Sequence, residues 1–230
     1  MTMLGSFSSI LLSLSPSQGE RLFIVGSGLA FLGLLGIAFF LAVVRPPAMY
    51  PSPFWSSPRI EQFFAENSAA VRALGAVHTL IALSLLAFGT SATGLLREDA
   101  GESVPFFWAA LGGAIVARAF FMLSAIFVWA LSRPSILESP PLLRTVHDLA
   151  YLAGGPAHVL AVAVFLGANS FGIFASEVLP DWIAWLGIAG AGVSALAVAT
   201  MLWHPAAWIL PLTRILLAAW ILSVCVQVAM

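Results

Sequence analysis

The chain has 230 residues, 61% hydrophobic and only 8% charged, with nine arginines, no lysine and a formal net charge of −1. A soluble domain carries about 25% charged residues to cover its surface, so this composition excludes a water-facing globule and leaves no length within these residues for a separate soluble catalytic domain. The missing lysine removes a Schiff-base retinal site and a P-loop, the single Cys225 removes an intrachain disulfide or cysteine metal cluster, and the lack of a basic patch removes nucleic acid as a partner.

A run of roughly 20 apolar residues crosses the hydrocarbon core of a bilayer. Six such runs are predicted, at about 21–44, 69–96, 105–131, 142–168, 181–203 and 205–229. The expected fold class is therefore all-α: a polytopic transmembrane helix bundle of six spans forming one domain over 1–230, with a short interfacial helix after the first span.

Residues 1–16 are apolar without a basic n-region before Arg21 and read as an attached interfacial segment. Ser17 and Glu20 have capping-box spacing and start the first span, which carries Gly26, Gly28, Gly33 and Gly36. Arg45, Pro46 and Pro47 stop it, because proline lacks the backbone donor and restricts its predecessor. Ser57 and Pro58 read as N-cap and first residue of the interfacial helix Arg59–Glu66, with Ile60, Phe63 and Phe64 on its apolar side.

The second span holds Arg72 near its start and His78 further in, and leaves through Arg97, Glu98, Asp99 and Glu102. The third opens on the aromatic anchor Phe106, Phe107 and Trp108, places Arg118 near its middle, and ends at Arg133 and Pro134. Ser139 and Pro140 restart the chain into the fourth span, which contains Arg144, His147, Asp148, the run Gly154, Gly155 and Pro156, and His158. The fifth, between Trp182 and Trp203, sets Gly187, Ala191, Ala195 and Ala199 four apart as a packing ridge. His204 and Pro205 turn into the last span, with Pro211 and Arg214 in its first turns. The ends of spans one, three and five hold most of the arginines, so positive-inside reasoning places both termini outside the cytoplasm.

An ionisable side chain at a helix centre in a bilayer costs at least about 2.5–3.5 kcal/mol and is expected to face a partner. Counted from the cytoplasmic ends, Arg118, His158 and His78 lie roughly 20, 24 and 14 Å deep at about 1.5 Å per residue, and are expected to share a layer near the midplane. Gly155 and Pro156 predict a break beside His158, freeing carbonyls that must face protein, water or a ligand. These five residues are the candidate ligand-binding set. Arg72, Arg144, His147 and Asp148 form an expected structural ion-pair layer nearer the cytoplasm, Arg144 reaching Asp148 at i, i+4. His147 and His158 are eleven apart, too far along the helix for one metal; a single bis-histidine haem completed by His78, or a metal held with Asp148, is the cofactor alternative, and otherwise no cofactor and no catalytic residue is expected.

Leu179, Pro180, Asp181, Trp182, Ile183, Ala184, Trp185, Leu186 and Gly187, followed later by Leu217, Ala218, Ala219, Trp220, Ile221 and Leu222, resemble a recurring pattern in uncharacterised bacterial polytopic membrane proteins. The resemblance implies a multi-pass protein of the bacterial cytoplasmic (inner) membrane and carries over no catalytic residue. The leading expectation is a non-enzymatic accessory or interaction subunit whose small-residue ridges dock other membrane chains or further copies of itself within the lipid bilayer. The alternatives are a small-molecule or lipid carrier or sensor built on Arg118, His78 and His158, and a b-type haem or metal-binding membrane protein.

Overall fold

The computed structural model describes residues 18–44, 50–97 and 104–230; the Ser17 cap, the segment 1–16, the stop at Arg45–Pro47 and the acidic exit Glu98–Glu102 lie outside the described residues. Helix α1 runs Gln18–Phe39 and loosens into a π turn at Phe40–Val44, α2 runs Ser57–Gly94, and α3 runs Val104–Ala130. After the short α4, Pro134–Leu137, come α5, Pro140–Leu152, a π turn at Ala153–Ala157, and α6, His158–Ser176. Helix α7, Asp181–Ala195, continues through a 3-10 turn into α8, Ala199–Leu202, and a second 3-10 turn leads into α9, Ile209–Ala229.

Among the described residues there is no strand, and six helical stretches are long and apolar enough to cross a membrane: Gln18–Ala42, Ser57–Gly94, Pro105–Ala130, Pro140–Ser176, Asp181–Leu202 and Pro205–Ala229. Such a set suggests a multi-pass membrane protein. Large apolar side chains also cover the outside, among them Phe39, Trp108, Ile115, Trp185, Leu202 and Ile215, so the outer surface favours a lipid over water.

The short helix expected at Arg59–Glu66 opens the stretch labelled α2 and is divided from the remainder by a kink. The kink lies at Asn67, whose φ of −118° and ψ of 19° leave the helical region while its side-chain amide donates to the Phe63 carbonyl at 2.8 Å. Ile60, Phe63 and Phe64 are buried, and Tyr50 packs edge-on against both phenylalanines. Protein therefore covers the apolar side that was expected to rest on lipid. The helix begins one residue earlier than the cap pattern predicts, with Ser56 as N-cap and Pro58 within the first turn.

Sequential helices are neighbours in space. Helix α1 packs on α2, α2 on α3, α3 on α5 and α6, α6 on α7, and α9 closes the ring by packing on both α7 and α1. A ring of six helices leaves an axis to fill, and large rings fill it: Phe88 and Phe165 both meet Trp220 edge to face, with centroids 6.2 and 5.5 Å away, and all three are fully buried. Edge-to-face contact sets the positive rim of one ring against the negative face of the next.

Glycines bring the backbones together where the ring is tightest. A methyl group on Gly113 would lie 2.6 Å from the Phe165 backbone nitrogen, and one on Gly75 would lie 2.8 Å from that of Trp129. Neither backbone can move aside as a flexible side chain can. Gly187 sits against Ser170 and Trp220, and Gly167 against Ala191, so part of the predicted α7 ridge is used inside the bundle. Gly113→Ala is expected to destabilise by about 1–3 kcal/mol through overpacking. Gly112→Ala, next to it but facing open space, is expected to gain about 0.5–1 kcal/mol from helix propensity. Thermal unfolding of the two variants in detergent, followed by circular dichroism, checks the opposite signs.

Candidate intramembrane cationic site

The site begins with the helix break. Gly155 leaves helical geometry at φ −95° and ψ −105°, and the His158 amide reaches back to Ala153, one carbonyl further than an α-helix requires. The carbonyl of Gly154, which that amide would otherwise bond, is thereby released. Arg214 at the start of α9 takes it, with Nη2 donating across 3.2 Å. One turn earlier, Ser124 of α3 donates to the Ala150 carbonyl at 2.8 Å, and its Oγ fills the space a side chain on Gly154 would need. Leu210 lies 3.1 Å from where a methyl on Gly155 would stand. Gly154 is thus required by the close approach of α3, whereas a methyl on Gly155 would ask only a small shift of the Leu210 side chain, and the expected break is sealed by protein.

His158 is buried, and its Nδ1 lies 2.8 Å from the Ala117 carbonyl. A carbonyl only accepts, so Nδ1 carries the shared proton and, in the neutral ring, Nε2 holds the lone pair. The Phe121 ring touches His158 at 4.9 Å and His78 at 5.3 Å between centroids. The structure therefore gathers His78 and His158 around Phe121, whereas the Arg118 guanidinium lies further along the bundle, beside Gly89 and the Phe165 ring.

Arg118 is the outlier. It is 3% exposed, and among the described residues its Nε, Nη1 and Nη2 make no hydrogen bond and no carboxylate lies within ion-pair reach. Its guanidinium lies 5.1 Å from the centre of the Phe165 ring, and Gly89 leaves it room, since a methyl there would come 3.3 Å from Nη2. A cation over an aromatic face recovers about 0.5–2 kcal/mol. Burying the charge at a helix centre costs at least about 2.5–3.5 kcal/mol, so the phenylalanine alone leaves a deficit.

The layer around Arg144 and Asp148 is a different kind of arrangement. Arg144 Nε donates to Asp148 at 3.1 Å, as the i, i+4 spacing predicts, and its Nη groups donate to the carbonyls of Trp55 and Pro53. His147 Nε2 donates to the Pro51 carbonyl at 3.2 Å and its ring packs against Phe64. Together they fasten the loop Pro51–Trp55 to α5, satisfying carbonyls that proline leaves without local partners. Arg72 is on the exposed side of α2 and does not join Asp148.

Arg214, Phe121, Phe165, Ser124 and Gly89 were not candidate residues in the sequence. Arg214 alone carried a signal, a charge in a helix otherwise free of Asp, Glu and Lys, but its depth near a span end drew it into the orientation argument instead. Among the described residues no three His, Cys, Asp or Glu side chains come together as a metal-binding group. Comparison of the chain with protein-family models, curated proteins and solved structures finds no match.

Tyr50 provides a test of the loop clamp. Its hydroxyl is buried without a hydrogen bond among the described residues, and burial pushes its pKa above the ordinary phenol value. Tyr50→Phe removes an unsatisfied group and is expected to raise stability by about 1 kcal/mol. A raised folded pKa means that the folded state holds the proton more tightly, so stability is full below the unfolded value of about 10 and falls as pH rises through it. The Tm advantage of Tyr50→Phe should therefore widen between neutral pH and pH 11, and a constant difference would show that the phenol ionises freely.

Proposed function

We propose that the chain is a multi-pass integral membrane protein that binds a small or lipid-like ligand as a carrier or sensor. The ligand is held between α2, α3 and α6 by Arg118, His78 and His158, beside the break at Gly155 and Pro156. The observation that carries this reading is the Arg118 guanidinium, buried with all three nitrogens unbonded among the described residues. A structural arginine in an apolar interior is paired or clamped to carbonyls. Arg144, held by Asp148 and two loop carbonyls, shows what a clamped arginine looks like in this bundle, and Arg118 does not share that arrangement.

The arginine distribution and the resemblance at 179–187 and 217–222 support a bacterial cytoplasmic membrane with both termini outside. A carboxy-terminal alkaline phosphatase fusion is then expected to be active and a green fluorescent fusion dark; the reverse pattern would invert the orientation.

Native mass spectrometry of protein extracted gently from its own membrane tests the main reading. The wild type should carry a non-covalent small-molecule or lipid mass, and Arg118→Leu should lose it while remaining monodisperse. Arg118→Leu retaining the adduct at wild-type occupancy would count against the site. A second reading, an accessory subunit in a larger membrane complex, is favoured by Gly26, Gly33 and Gly36 on α1, which leave open space where a methyl would stand. An additional polypeptide mass in the same spectrum, unaffected by Arg118→Leu, would support it.

A further inference from the structure

We infer that the ligand is an acid with an apolar tail, its charged head on Arg118 and its tail lying between α2 and α6, past Thr93 and Asn169, in the crevice where those two helices end. The inference rests on the ligand-binding reading above and adds the chemical class, the direction in which the ligand lies and two residues that reading does not use.

The head follows from Arg118 alone. Its guanidinium stands where α2 and α6 face each other, with Gly89 of α2 on one side and the Phe165 ring of α6 on the other. Among the described residues none of its nitrogens meets an acceptor and no carboxylate is within ion-pair reach. A guanidinium presents its N–H donors in a planar fork that matches the paired oxygens of a carboxylate. A neutral ligand bonds those donors and leaves the buried charge uncompensated, whereas an acid does both.

The direction follows from what lies on either side of that head. One way leads to the Phe121 ring, packed between the His158 and His78 rings at 4.9 and 5.3 Å, so a tail there has to displace ring-on-ring packing. The other way is held more loosely. Helices α2 and α6 each pack on α3, and they meet one another through side chains rather than along their backbones. Gly89 and Thr93 are four apart on α2, and Phe165 and Asn169 four apart on α6, so the next layer lies one turn on, about 6 Å from the head. There the buried Thr93 hydroxyl donates to the Asn169 side-chain oxygen across 3.4 Å, longer than an ordinary O–H···O bond, while the Asn169 amide nitrogen is anchored on the Phe165 carbonyl at 2.8 Å.

Beyond this pair the surroundings turn apolar. Asn169 lines a narrow crevice together with Ala92, Leu95, Leu96, Ile173 and Leu179, at the end of the bundle where α2 and α6 finish. Its leucine side chains turn aside to admit a tail, a change of rotamer that leaves the backbones in place. An unpaired cation, one weak polar contact and an apolar crevice therefore follow one another along α2 and α6, in the order that an acidic amphiphile requires.

The test uses the full chain in phosphatidylcholine nanodiscs, buffered above neutral so that the acid stays ionised. Two radiolabelled probes, laurate and dodecan-1-ol, share one tail and differ in charge. Laurate is expected to bind about tenfold or more tightly than dodecan-1-ol, since hydrogen bonds to charged groups are the stronger ones. Arg118→Gln should abolish that preference and Arg118→Lys should keep part of it. Laurate with a photoreactive diazirine on its last carbon is expected, after illumination and digestion, to label residues of the crevice such as Leu95, Leu96 or Leu179. Dodecan-1-ol binding as tightly as laurate would overturn the inference and leave the ligand-binding reading standing. A label confined to the surroundings of Phe121, His78 and His158, or to lipid-facing residues such as Ile115 and Leu202, would do the same. If neither probe binds monodisperse wild type the inference falls, and the native mass spectrum, with an adduct or without one, decides the ligand-binding reading separately. Should Arg118→Gln fail to fold, the two probes and the position of the label decide on the wild-type chain alone.

Discussion

A backbone carbonyl released inside an apolar helix bundle has to find a donor, and in this protein the carbonyl is that of Gly154. Pro156 brings no amide of its own, the His158 amide skips to Ala153, and the free acceptor is met by Arg214 from the other end of the chain. That requirement ties the fourth span to the sixth and fixes where α9 starts relative to the break, and α3 approaches so closely that a side chain at Gly154 would meet Ser124. The same skipped amide belongs to the residue whose ring bonds Ala117, so the break and the Arg118 layer are one connected arrangement.

The two polar layers of the bundle differ in how completely they are satisfied. Nearer the cytoplasmic side in the proposed orientation, Arg144 divides its donors among Asp148 and two loop carbonyls, and His147 takes a third carbonyl, so the proline-rich loop is held by charge-assisted bonds. Near the centre, Arg118 has an aromatic face and a glycine-made space but no oxygen among the described residues. Arg118 stands buried on a helix that is apolar throughout, whereas Arg144 stands on the amphipathic α5 with its side chain a third exposed. They also differ in whether acceptors from another segment reach them, and that contrast is the basis for the proposal that the Arg144 layer is structural and the Arg118 layer a binding site.

Packing along the axis explains how a closed ring of six helices avoids a hollow centre. Phe88, Phe165 and Trp220 come from three different helices and fill it edge to face, while Gly28, Gly113 and Gly187 allow the backbones to close around them. Phe165 serves twice, as part of this plug and as the face above which Arg118 lies. The Arg118 layer is therefore mechanically continuous with the core of the bundle.

Much of this was legible in the chain itself, because hydropathy and helix punctuation are local sums. Runs of apolar residues set the six spans, prolines set where they start and break, and the rarity of charge marked Arg118 and the pair Arg144 and Asp148. Other features were decided only by tertiary structure. Helices that are apolar on every side do not declare which face meets which neighbour, so the ring order, the Phe88, Phe165 and Trp220 plug and the reach of Arg214 to Gly154 had no periodic signal. The segment Arg59–Glu66 had the pattern of a surface helix, yet Tyr50 covers its apolar side, and a kink at Asn67 sets it off from the rest of α2. Burial depends on what else folds onto a face, and a sequence pattern records only that the face is apolar.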